Sequence, residues 1–214
     1  MQSSHAQISY WDRVATEKRF SHPLRSSWLE RYQKSPRARI LDYGCGYGRT
    51  LADLAEGGFQ NFVGVDFSDA MLARASAALG RAVLARNDGF SFPFQDDCFD
   101  VVLLFAVLTC IPDSNAQRML LAEAGRVLRP GGLVYVSDLL VNSDRRNRER
   151  YEEFAETYDC YGVFELPEGI VVRHHQREWI EEITSSFQKL EFEPFTVTTM
   201  NGNSSAAFQY LGRK

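Results

Sequence analysis

Cysteine is scarce in this sequence. Only Cys45, Cys98, Cys110 and Cys160 occur in 214 residues, with no CxxC pair and no histidine at ligand spacing. That scarcity speaks against a disulfide framework and a cysteine–histidine metal site, and it fits a reducing cytoplasm. Long apolar runs are missing too. The longest, Val101 to Leu108, is far shorter than the roughly 20 residues that span a bilayer, so no membrane association is expected. Met1-Gln-Ser-Ser-His5 lacks the basic-then-apolar pattern of a signal peptide. Basic residues are not in excess: 24 Lys and Arg stand against 28 Asp and Glu, a net charge of −4. A broad nucleic-acid grip usually needs the opposite balance. The chain shows no repeats and no low-complexity tract.

What is present is alternation. Hydrophobic residues make up 44% of the chain, enough for a single domain with a substantial core. From residue 39 onward short apolar segments alternate with helical patterns, the signature of a parallel sheet flanked by helices. Arg39-Ile-Leu-Asp-Tyr43 reads as a first strand, followed by a glycine-rich turn and a helix to about Leu54. Asn61-Phe-Val-Gly-Val65 reads as a second strand, then a helix with Ser68 as N-cap and Met71, Leu72 and Ala75 on one apolar face. A third strand is expected near residues 82–85. Phe99 to Phe105 is the most apolar and should lie centrally, buried on both faces. An amphipathic helix follows over about residues 115–128 and ends at Arg129-Pro-Gly-Gly132, before a fifth strand at about 133–137. Two last strands, near residues 192–199 and 206–211, flank Asn201-Gly202, a hairpin signal that makes the final strand antiparallel. Residues 1–38 and 140–190 fall outside this scheme. Segments attached at the carboxyl edge of an open α/β sheet lie where ligands bind, so both are expected as lids, the first helical, the second contributing to a ligand pocket.

The sharpest motif is Leu41-Asp-Tyr-Gly-Cys-Gly-Tyr-Gly48, directly after a strand and before a helix. Glycines there allow a tight turn and a close backbone approach to a ligand, and the helix N-terminus offers free N–H groups. Asp66 ends the second strand, where a carboxylate can accept both ribose hydroxyls; its loss should therefore touch ligand binding more than stability. A dinucleotide-binding oxidoreductase uses a similar frame but needs GxGxxG, and Arg49 stands where the third glycine would be.

With its GxGxG spacing the stretch resembles the first motif of class I S-adenosylmethionine (SAM)-dependent methyltransferases. Val65-Asp-Phe-Ser-Asp-Ala-Met-Leu72 resembles the second motif, Asn87-Asp-Gly-Phe90 with Cys98-Phe-Asp100 the third, and Phe105-Ala-Val107 the exit of the fourth strand. The resemblance covers residues 38 to 140. It implies a doubly wound, mostly parallel seven-stranded sheet in the order 3-2-1-4-5-7-6, the last strand antiparallel, with helices on both faces. It also implies SAM as methyl donor, held by Asp42, Gly44, Cys45, Gly46, Asp66, Phe67, Met71, Asp88, Gly89 and Phe105. Asp66 would take the ribose, Met71 would lie near the adenosine, Asp88 would meet the adenine amino group, and Asp42 would organise the turn. Asp42 serves equally as a simple turn cap, and a methionine such as Met71 is more often core filling than a ligand contact.

Other residues invite two readings each. His22 in Phe20-Ser-His-Pro23 can remove a proton from an acceptor, or be a satisfied core histidine. Lys18 can meet the donor carboxylate or stay in solvent. Of His174-His175 one can face the pocket, but the pair is read as helix-capping or exposed. The run Arg145-Arg-Asn-Arg-Glu-Arg150 can attract an anion or form a solvated helix face. Tyr151, Phe154 and Tyr158 hold the insertion down, or wall a flat apolar acceptor.

A methyl sulfonium is already activated, so the family's chemistry demands alignment and exclusion of water more than a base. No Asn-Pro-Pro-Tyr follows the fourth strand and no Pro-Cys nucleophile is present. The expected enzyme methylates an O, N or S atom of a small molecule. RNA or protein methylation, and non-catalytic SAM binding, are the alternatives.

Overall fold

Strands form where β-branched and aromatic residues run uninterrupted, and helices where apolar residues recur every third or fourth position. The computed structural model describes residues 4–80, 83–87 and 91–214. Seven strands build the main sheet: β1 (Arg39–Tyr43), β2 (Asn61–Asp66), β3 (Val83–Arg86), β4 (Phe99–Phe105), β5 (Leu128–Leu139), β8 (Gln188–Thr198) and β9 (Ser204–Arg213). Their order is β3-β2-β1-β4-β5-β9-β8. The first five run parallel, while β9 is antiparallel to both β5 and β8. Every residue of β4 is buried, as its unbroken apolar run requires of a central strand.

Helices cover both faces. On one, α5 (Ser114–Val127) and α7 (Arg177–Ile183) pack Leu120, Leu121, Ala124, Ile180 and Ile183 against Val102, Leu104, Val134 and Val136. On the other, α2 (Ser26–Tyr32) and α3 (Arg49–Glu56) bring Trp28, Leu29, Leu51 and Leu54 against Ile40, Val101, Leu103 and Tyr135. The alternation of inward residues along β4 and β5 is what divides the core in two. Between β2 and β3 lies α4 (Asp69–Leu79), and Ser68 caps it by accepting from the Met71 amide at 3.1 Å.

Two expectations need correction. Residues 1–38 do not form a lid throughout: Trp28 and Leu29 of α2 are core of the sheet face, with the Trp28 ring 5.4 Å from that of Tyr135. Only α1 (Ser4–Val14) and the stretch after it reach over the carboxyl edge. The 140–190 region likewise divides. It holds α6 (Arg145–Tyr158) and a two-stranded antiparallel sheet of β6 (Val163–Glu165) and β7 (Val171–Arg173), while α7 belongs to the main core. The small hairpin, joined through Pro167 and Gly169, packs Phe164, Ile170 and Val172 with Tyr151 of α6 against Tyr10, Trp11, Val14 and Met71. Gln7 adds a side-chain bond to the Val171 carbonyl at 3.3 Å. Apolar surface on two distant segments thus closes into one cluster above the strand ends.

Candidate active site

The strand order reverses between β1 and β4, and adjacent strand ends splay at such a switch point. A cleft of about 640 Å³ opens there. Gly44, Cys45, Gly46, Asp66, Phe67, Met71 and Phe105 all line it. Asp42 is buried behind the turn rather than on the wall, and Asp88 and Gly89 lie outside the described residues.

The glycines of the turn are explained by sterics. Gly44, Gly46 and Gly48 have φ of 74°, 53° and 81°, the left-handed region that side chains resist. A Cβ on Gly44 would fall 2.7 Å from Val107 Cγ2, whereas one on Gly46 would meet nothing nearer than Met71 Sδ at 4.0 Å. Gly44 therefore serves packing. The space at Gly46 is on the cleft side, where a ligand can approach the backbone.

Asp66 is tied down by the turn itself. Its Oδ2 accepts from the Gly46 amide and its Oδ1 from the Ser68 amide, both at 2.9 Å. Burial raises its pKa, and these amides pull it back. The expectation that losing Asp66 would change stability little left out these bonds, by which the carboxylate joins the glycine turn to the start of α4. Asp42 is fully buried, its Oδ2 has no partner, and burial pushes its pKa up to about 7 against the pull of Arg49.

A second, smaller cavity of about 90 Å³ abuts the cleft, and the two share Trp11, Phe20, Ala106 and Cys110 as walls. His22 lines the smaller one. It is buried, its Nδ1 is 3.1 Å from Ser137 Oγ, and burial with help from Arg49 lowers its pKa to about 4. Ala106, at the junction, has φ of 56°, costly for a residue with a Cβ. Its amide donates to the Ser137 carbonyl at 2.8 Å. Behind it Asp138 accepts from the Thr109 and Leu139 amides at 3.1 and 2.8 Å, and its burial raises its pKa to about 7.

The sequence reading missed several of these groups. Asp138 ends an apolar strand as Ser137-Asp138, a polar break that was its only signal. Tyr47, inside the glycine motif, stacks on Phe20 at 5.9 Å, accepts with its hydroxyl from the Phe20 amide at 3.0 Å, and carries the Arg74 guanidinium 3.9 Å from its ring centre. Asp12 accepts from Ser68 Oγ at 2.6 Å and from the Ala70 amide at 3.2 Å, so α1 completes the cap of α4. Lys18 pairs with Glu168 at 3.5 Å and bonds Asn201, and it does not line the cleft. His174 and His175 are neither exposed nor capping. His174 Nδ1 is 2.6 Å from the Tyr151 hydroxyl, and His175 lies between the Leu139 carbonyl and Gln117 at 3.0 Å each.

Comparison with known proteins points the same way as the geometry. Residues 41–136 match the model of a methyltransferase domain. This match, two relatives and the likeness of fold together support a class I SAM-dependent methyltransferase. It is 28% identical over 216 residues to the O-methyltransferase resE of Aspergillus sclerotiorum, covering 97% of this chain and 75% of that protein. It is 27% identical over 209 residues to a demethylmenaquinone methyltransferase of Staphylococcus aureus, covering 87% and 82%. A SAM-dependent methyltransferase structure from Methanosarcina mazei superposes with a TM-score of 0.81 at 24% identity, covering 87% and 96%, a likeness of fold. SAM is therefore the methyl donor of this enzyme. The cleft of this methyltransferase fits that donor on two observations: space against the Gly46 backbone, and a carboxylate at the end of β2. Among the described residues, no helix is long and apolar enough to cross a membrane.

Proposed function

We propose that this methyltransferase acts on an O, N or S atom of a small, flat, largely apolar molecule. The observation that carries the reading is the smaller cavity, which adjoins the donor cleft through Trp11, Phe20, Ala106 and Cys110. Pockets for small ligands commonly combine such apolar walls with a few polar groups. The two relatives support the class, one named an O-methyltransferase and the other a demethylmenaquinone methyltransferase.

When bound, SAM supplies a methyl group already activated on a sulfonium. The residues of the chain then bind, orient and exclude water. Asp66 would accept the ribose hydroxyls, Gly44, Cys45 and Gly46 would present backbone to the methionine part, and Phe67 and Met71 would flank the adenosine with Phe105 beneath. Asp88 and Gly89 would complete the adenine end. Asp42 would set the turn from behind. The α1 segment and the β6–β7 hairpin close the edge above, keeping water from the reacting atoms. His22 is uncharged at neutral pH, so its ring can accept the proton that an acceptor hydroxyl loses.

The test is turnover. Purified enzyme with SAM and a panel of phenols, hydroquinones, amines and thiols should release S-adenosylhomocysteine together with one methylated small molecule. Methylation confined to RNA or protein substrates, or donor binding without any turnover, would overturn the reading.

A further inference from the structure

Arginine is a poor residue to leave in a half-buried place without a carboxylate, because its charge is then compensated only by dipoles and rings. Arg150 on α6 is in that position. Its guanidinium lies 3.6 Å from the Phe164 ring centre, one nitrogen donates to the Asn147 side chain, and its Nε is buried with no partner. Among the described residues no Asp or Glu forms an ion pair with it, and Asp144 attracts it only from a distance. One turn earlier Arg146 is held only loosely, 4.0 Å from Asp144. Both arginines line the smaller cavity, and among the described residues no acidic side chain does. The two histidines on that wall, His22 and His174, are kept neutral by burial. A chain of net charge −4 thus presents one small cavity whose ionised groups are all cationic.

We propose that the methyl acceptor carries a carboxylate, which Arg150 and Arg146 hold in the smaller cavity. The proposal rests on the placement of the acceptor there. Stacking on Phe164 fixes the plane of the guanidinium and leaves edge N–H groups for a planar anion, the geometry in which arginine binds carboxylates best. The charge of such an acceptor also offsets the like charge between the two arginines and the donor sulfonium. Of the two readings of the basic run, the solvated face describes Arg145 and Arg148, and the anion site describes Arg146 and Arg150.

Calorimetry on the full chain saturated with S-adenosylhomocysteine tests this with 4-hydroxybenzoate and its uncharged twin, 4-hydroxybenzamide. The acid should bind at least ten-fold more tightly than the amide. Arg150→Gln should erase that preference, Arg146→Gln should reduce it several-fold, and Arg150→Lys should retain only part of it because the planar fork is lost. S-adenosylhomocysteine affinity and melting temperature report whether each variant is folded; should Arg150→Gln not fold, the exposed Arg146→Gln decides. Equal binding of acid and amide, binding of neither, or a preference that survives in both glutamine variants would overturn the carboxylate site. Turnover of uncharged phenols separates the two ideas. If they are methylated without any preference for acids, the small-molecule reading stands and this one falls.

Discussion

Asp66 joins two roles in one carboxylate, and substitutions can separate them. Asp66→Ala leaves the Gly46 and Ser68 amides without their acceptor, which costs about 1–3 kcal/mol of stability. It should also weaken SAM binding by about 1.5–3 kcal/mol, the scale for hydrogen bonds to a charged group. Paired melting and calorimetric titration check both; an unchanged donor affinity in the folded variant would contradict the ribose assignment. Asp42 makes a different prediction. Its folded pKa is raised to about 7 from 3.8, so the folded chain binds more protons than the unfolded one between those values. Stability is therefore lost as pH rises through that window. Asp42→Asn removes the titration, and its stabilising effect should grow by on the order of 3 kcal/mol between pH 4 and pH 8. Melts at the two pH values measure it, and an equal effect at both would show that Asp42 ionises freely. His22→Gln should slow methyl transfer to a hydroxyl acceptor roughly 10²-fold. The wild-type rate should lose the contribution of His22 only as pH falls toward about 4; a wild-type rate lost near pH 6.5 would contradict a buried neutral ring.

The glycine turn shows how an element is fixed by what it cannot accommodate. Gly44→Ala forces a Cβ into Val107 and a left-handed φ on alanine, so it should destabilise by several kcal/mol. Gly46→Ala meets no close atom and should cost only about 1–2 kcal/mol. Its new methyl group projects on the cleft side, so donor affinity should fall at least ten-fold while the fold persists. Titration with S-adenosylhomocysteine checks this, and undiminished binding would move the donor away from Gly46. The turn, β4 and the terminal hairpin were legible in sequence because each rests on local rules: glycine conformation, an unbroken apolar run, and Asn201-Gly202. The β6–β7 hairpin was not. Its strands are three residues each, too short for a period-two pattern to register, and they are held by packing on Tyr10 and Trp11 from the far end of the chain. The buried pair His174-His175 was misread for the same reason. Its partners Tyr151, Leu139 and Gln117 are brought to it by tertiary folding alone.

Taken as a molecule, the enzyme is a two-faced core that leaves one edge open, with two remote segments folded over it. The parallel sheet places the ends of β1, β2 and β4 together, which is why Gly44, Cys45, Gly46, Asp66, Phe67, Met71 and Phe105, all picked from sequence, line one cleft. The smaller cavity, where the acceptor is proposed, is lined from α1, α6, the β6–β7 hairpin and the β8–β9 turn, four pieces with no common local signature. That asymmetry explains why Asp138 and Tyr47 went unnoticed in sequence and why Arg150 could be read there only as part of a basic run. The most direct test is a crystal structure with S-adenosylhomocysteine bound. The account predicts the ribose on Asp66, the homocysteine part along Gly44 to Gly46, and the sulfur facing the cavity that holds His22, within about 8 Å of its ring, near enough for an acceptor in hydrogen-bond reach of the ring. A product seated elsewhere, or a sulfur turned away from that cavity, would contradict it.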